Sequence, residues 1–180
     1  MDESTEVLVE GLDTAYHEAG HIVVAAIAGG RVTTATINAE EDILGCCKCD
    51  PFDKSGRVMN LYGSVLMHLA GVAATLIVKG KRDSHLIIEN ISKSKYDHEY
   101  LIEALSDHKA IAPYNANDYL MKAAKDLVLL FSDPYICNRV CSLAQKLILL
   151  KMLDTCDIEI EVDGLYEYVV ERYVLECYKF

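Results

Sequence analysis

The 180 residues amount to about one domain, and 52% of them are apolar, enough to bury a core of that size and to exclude a disordered chain. With 17 basic against 28 acidic side chains the formal charge is −11, which repels phosphate backbones and anionic bilayers and excludes nucleic acid as a main partner. Seven cysteines, an odd number scattered through an apolar chain, fit reduced and buried thiols better than a disulfide framework.

The first residues, MDESTEVLVE, carry acidic groups and no basic region, so they do not read as a secretory signal and a cytoplasmic location is expected. Residues 1–11 are taken as an N-terminal extension and residues 12–180 as a single domain. From Asp13 to Ala28 the chain is dense in helix formers, with Asp13 as N-cap and Gly29-Gly30 as the stop. RVTTATINA is rich in β-branched residues, and ILGCCKC is a second short apolar run; together they suggest a two-stranded ribbon that closes at Asp50-Pro51.

Arg57 to Lys79 repeats apolar residues at helical spacing and ends at Gly80, which predicts a long, largely buried helix. The longest apolar stretch, Val65 to Val78, is broken by His68 and Thr75 and falls short of the roughly 20 residues needed to span a bilayer, so no membrane anchor is expected. A more polar helix is expected from Ser94 to about Lys109. Asn115–Phe131, Pro134–Leu153 and Gly164–Tyr178 read as three further helices, with Pro134 at a helix start. IEIEV at 158–162 alternates like a strand or an extended connector. The fold class is therefore mainly α with a small β-ribbon.

His17-Glu18-Ala19-Gly20-His21 is an HExxH segment inside the first helix. Spacing of four residues puts both imidazoles on one face, one turn apart, where their nitrogens can reach one zinc ion at about 2.0–2.1 Å. Glu18 lies beside them, free to take a proton from an activated water and to return it to the leaving amine. With six histidines and 14 glutamates, chance places this pattern in roughly one such chain in seventy.

A catalytic zinc needs a third protein ligand, on which the motif is silent. Val24 and Ile27 stand where the metzincin pattern wants glycine and histidine, which excludes that class. Glu40 and Glu41, 19 and 20 residues beyond His21, have a spacing a thermolysin-like enzyme could use, but sit at the expected ribbon tip, where acidic residues are ordinarily solvated. Cys46, Cys47 and Cys49 have the wrong spacing for a closed four-cysteine zinc site and are expected to pack on a strand face. His68 is expected to be a hydrogen-bonded core histidine. His85, His98 and His108 read as surface residues.

TAYHEAGHIVVAAIAGG, then the ribbon RVTTATINAEEDILGCCKCDP, then LMHLAGVAATLIVKG, closely resembles the peptidase domain of the FtsH-type AAA+ zinc proteases, over roughly residues 12–175. In that family the third zinc ligand is an aspartate some seventy-odd residues after the second histidine. The resemblance thus implies Asp97, 76 residues after His21 in SKYDHEYLIEAL, with Asp118 in ANDYLMKAA as the later rival. An aspartate in a first helical turn also serves simply to satisfy the helix dipole. The family usually has glutamate directly after "AGxAA", where this chain has Thr75 and Leu76, so the groups orienting the histidines must differ.

The resemblance implies a zinc metallopeptidase acting on flexible or unfolded polypeptides. The chain contains no GxxxxGK[ST], so ATP-independent action is expected. Homo-oligomerisation and a separate delivery partner both fit this expectation. The competing expectation is a zinc-stabilised pseudo-peptidase that binds a protein partner in the same groove.

Overall fold

The computed structural model describes residues 3–38, 44–50, 60–107 and 116–173. In chain order the elements are α1 (Glu3–Ile27), β1 (Arg31–Thr36), β2 (Cys46–Asp50), α2 (Leu61–Val78), α3 (Ser84–Ile91), α4 (Lys95–Asp107), α5 (Ala116–Ser132), α6 (Pro134–Leu150), β3 (Met152–Asp154), α7 (Thr155–Val162) and α8 (Leu165–Arg172). The protein is mainly helical, with one small antiparallel sheet.

The centre of the fold is the crossing of α1 and α2. Ala15, Ala19, Ile22, Val23 and Ile27 of α1 and Leu66, Leu69, Ala70, Ala73 and Ile77 of α2 are all buried. The helices approach closely because Gly20 faces the α2 backbone: a Cβ there would lie 2.6 Å from the Ala70 carbonyl oxygen and 2.7 Å from the Ala74 Cβ. Leu127 and Leu130 of α5 and Leu143 and Leu147 of α6 close the core. Among the described residues α2 alone has the length and hydropathy of a membrane-crossing helix, 18 residues at a mean hydropathy of 1.8, and 61% of it is buried within the fold.

Several expected boundaries are corrected. Helix α1 begins at Glu3 and passes through Asp13, so Asp13 is no N-cap; nothing in ESTEVLVE breaks the helix, and the Asp13 carboxylate pairs instead with Lys79 at the end of α2. The long helix starts at Leu61, capped by the Asn60 side chain, which accepts from Gly63 N. Helix α3 was not foreseen, although Asp83 caps it by accepting from His85 N, and Ile87 and Ile91 bury at four-residue spacing.

The two-stranded ribbon is in fact part of a three-stranded sheet in the order β2-β1-β3. The predicted helix to Leu153 stops at Leu150 because Lys151 turns left-handed at φ 64°, and the next residues pair with β1, Leu153 opposite Ala35. IEIEV is helical rather than extended: Asp154 caps α7, Ile158 is 2% exposed and Ile160 is 70% exposed. Its alternation had hidden the contact pair at positions 158 and 162, both on the core side. The last helix ends at Arg172, short of the expected Tyr178, with Tyr173 extended.

Candidate metal centre

The HExxH residues occupy the middle of α1, where the helix is wedged between α2 and the sheet. Ala35 of β1 is fully buried, and its register partner Cys47 packs on the same core. Gly45, immediately before β2, passes over Glu18: a Cβ there would lie 2.7 Å from Glu18 Oε1. The glutamate is consequently buried, at 5% exposure. Burial raises its carboxyl pKa, against the pull of the His21 and His17 imidazoles, and Asp97 adds to the rise.

His17 lies across α2 at Gly71, where a Cβ would come within 2.5–2.6 Å of three atoms of its ring. The glycine of the "AGxAA" stretch thus provides the gap through which the imidazole passes. His21 is held by the same helix, its Nδ1 donating to the Met67 carbonyl at 2.8 Å. That bond puts the hydrogen on Nδ1 and turns Nε2 toward α4. The rings meet edge to face with centroids 4.7 Å apart.

Helix α4 brings Asp97 to both rings. Its Oδ2 lies 2.8 Å from His17 Nε2 and its Oδ1 3.3 Å from His21 Nε2, and the side chain is 14% exposed. Ser94 Oγ donates to Oδ2 at 2.5 Å, which fixes the carboxylate. Burial alone would push the Asp97 pKa up, but the imidazoles beside it hold it well below the usual carboxylate range. Burial likewise opposes charge on His21, yet Asp97, its hydrogen bond, Glu18 and the Met67 carbonyl together bring the His21 pKa to about 9.

One ligand atom each from His17, His21 and Asp97 lies within 4.8 Å of the others. Two imidazole nitrogens and one carboxylate oxygen are a zinc donor set, and a tetrahedral ion with bonds of about 2.1 Å keeps its donors roughly 3.4 Å apart. The separations of 2.8 and 3.3 Å to Asp97 lie within about 1 Å of that spacing and every donor pair lies within 4.8 Å, so the residues fit a zinc ion.

Other expected candidates lie elsewhere. Asp118 is exposed in the first turn of α5, outside the group. Glu40, Glu41 and His108 fall outside the described residues. His85 is exposed as expected, whereas His98 is half-buried beside Asp97 without joining the group. Cys46, Cys47 and Cys49 lie on β2 and form no disulfide among the described residues; burial raises the Cys47 pKa well above its ordinary value, with Glu18 adding to it, and burial raises Cys49 to about 11. His68 is corrected: it is half-buried, stacked on Tyr100, and no hydrogen bond to another described residue holds it.

The sequence reading missed two supports of the site. The Ser94 contact was available in S-K-Y-D, which has the [ST]-x-x-[DE] spacing of a helix start. The Met67 contact uses a backbone carbonyl, which leaves no signature in residue type. Thr75, in the position where the resemblance led us to expect glutamate, donates to the carbonyl of Gly71 at 3.0 Å, within its own helix. The chain matches no model of a known protein family and no curated protein.

Proposed function

We propose that the protein is an ATP-independent zinc metallopeptidase, built like the peptidase domain of the FtsH-type proteases, that cleaves flexible or unfolded polypeptides. The observation that carries this reading is the convergence of His17, His21 and Asp97 beside the buried Glu18. His17 and His21 through Nε2, and Asp97 through its carboxylate, would hold the ion, and Met67 and Ser94 would keep two of those ligands oriented. When bound, zinc supplies Lewis acidity, polarising a carbonyl and making water a better nucleophile near neutral pH.

Glu18 is not needed as a ligand, and its buried carboxylate, next to His17 in the chain and beside the metal-ligating group, stands where a general base is required. It takes the proton of the attacking water and passes it to the departing amine nitrogen. Burial under Gly45 shields this exchange from bulk water. Substrates are restricted to chains that can thread to the site unaided, because these 180 residues hold no phosphate-binding GxxxxGK[ST] segment. A cytoplasmic setting, with self-association or a delivery partner, belongs to the same proposal.

A second reading, a zinc-stabilised pseudo-peptidase that binds a protein partner, is favoured by Thr75, whose hydroxyl bonds its own helix where the family would offer a carboxylate to the histidines. Glu18→Gln separates the two. The amide keeps the shape but cannot act as a base, so zinc should be retained and hydrolysis of a casein-like chain should fall by at least ~10². Parent and variant hydrolysing equally would refute the role of Glu18; a parent that binds zinc but never cleaves would favour the pseudo-peptidase.

A further inference from the structure

His68 is a polar side chain at the margin of the metal-ligating group that neither holds a ligand nor braces one. It follows Met67, whose carbonyl holds His21, and precedes Gly71, over which His17 lies, by one helical turn. Positions three apart share a helix face, so His68 stands on the side of α2 that the two histidines approach. It is close enough to interact electrostatically with both His21 and Asp97. Its ring lies nearly parallel to that of Tyr100, with centroids 5.8 Å apart and planes 17° apart. Tyr100 is three residues after Asp97 on α4 and 55% exposed, so the stacked pair bridges α2 and α4 one turn from a metal-ligating side chain.

Partly buried polar groups ordinarily have a hydrogen-bond partner, yet neither ring nitrogen of His68 bonds to another described residue. Burial, and then the charge of His21, lower its pKa to about 4, so at neutral pH the ring carries one N–H donor and one acceptor. A neutral donor held in plane beside the site suits an oxygen on which negative charge develops.

We propose that His68 contacts the substrate, donating a hydrogen bond to the carbonyl oxygen of the scissile peptide bond, with the Tyr100 ring as the shelf that fixes its orientation. This rests on the peptidase reading above. Loss of one such donor costs about 10²–10³ in kcat, because the bond strengthens as the carbonyl oxygen gains charge.

The test uses the zinc-loaded full chain and an unstructured fluorogenic peptide. His68→Phe keeps an aromatic ring on Tyr100 but has no donor: kcat should fall about 10²-fold, with KM and zinc content at parental values. His68→Gln, which restores an N–H, should recover part of the loss, and Tyr100→Ala, which removes the shelf, should lower kcat while zinc content stays at the parental value. Parental kcat in His68→Phe overturns the proposal, and so does loss of zinc in that variant, which would make His68 a support of the metal group. If the parent does not cut the peptide, the peptidase reading fails separately. The contact is then read from the 15N resonances of the His68 ring in zinc-loaded Glu18→Gln at saturating peptide. Movement of those resonances supports the contact and unchanged resonances overturn it.

Discussion

Replacing Gly71 by alanine tests how closely the site depends on the α1–α2 crossing. The added Cβ would lie 2.5 Å from His17 Nε2 and 2.6 Å from its Cδ2 and Cε1. Carbon contacts settle at about 3.5–4.0 Å, so the ring must retreat by roughly 1 Å or rotate away. Nε2 is the atom 2.8 Å from Asp97, and a displacement of that size breaks the contact. The backbone is untouched and the ring is 22% exposed, so the stability cost should fall within the 1–3 kcal/mol of ordinary overpacking. Zinc affinity should suffer more, by over ~10²-fold, because a bond of about 2.1 Å cannot stretch by 1 Å. Gly20→Ala is the contrast: its Cβ would strike the Ala70 carbonyl at 2.6 Å, which cannot move without α2, so the fold itself should weaken. Chelator competition for zinc and thermal unfolding, run on both variants, separate the effects. Parental zinc affinity in folded Gly71→Ala would refute the assignment of His17.

Metal binding should also depend on pH. A His21 pKa of about 9 means that its proton must leave before zinc binds, so affinity should rise about tenfold per unit between pH 7 and 9 from this group, with about one proton released in calorimetry at pH 7. A pH-independent affinity over that range would contradict the Asp97–His21 contact. Outside the metal-ligating group, Asp133 caps α6 and accepts from the hydroxyls of Tyr168 and Tyr173. Its pKa is lowered by hydrogen bonds from Tyr173, from the Tyr135 amide and from Tyr168, which outweigh burial. Its contribution is therefore present above the unfolded value near 3.9 and lost as acid protonates the folded carboxylate. Tyr173, raised to about 12 by burial and by its bond to Asp133, contributes fully below about pH 10 and loses that contribution as pH rises through 12. Asp133→Ala should cost about 1–2 kcal/mol at pH 7 in denaturant unfolding and should flatten both pH limbs; unchanged stability would show that the cap contributes nothing.

Much of the site was legible because its chemistry needs particular residue types at fixed spacing. His17 and His21 follow from four-residue spacing on a helix, which α1 turns to one side, and Glu18 from the motif that contains them. Asp97 was reachable only through the resemblance, since no local rule selects one aspartate 76 residues downstream. The helices with clear caps and stops, α2, α5 and α6, were located to within a few residues. The start of α1 was lost because Asp13 looks like a cap, whereas the helix-compatible ESTEVLVE runs on through it and its carboxylate is taken by Lys79, a tertiary partner. Strand β3 and helix α7 were lost for a related reason. Lys151 adopts a left-handed turn without glycine; its amide keeps the helical bond to Leu147, but its carbonyl accepts from Ile37 just past β1, a partner set by the sheet rather than by neighbouring residues. His68 was placed on the correct helix, but its stacking partner comes from α4, 32 positions away.

The most direct test is the zinc content of the purified chain after dialysis, measured beside His17→Ala, His21→Ala, Asp97→Ala and Asp118→Ala. One zinc per chain is expected in the parent and in Asp118→Ala, and none in the other three, because each removes one of three protein ligands. Zinc retained by Asp97→Ala and lost by Asp118→Ala, or a parent that binds none, would contradict the metal centre formed by His17, His21 and Asp97.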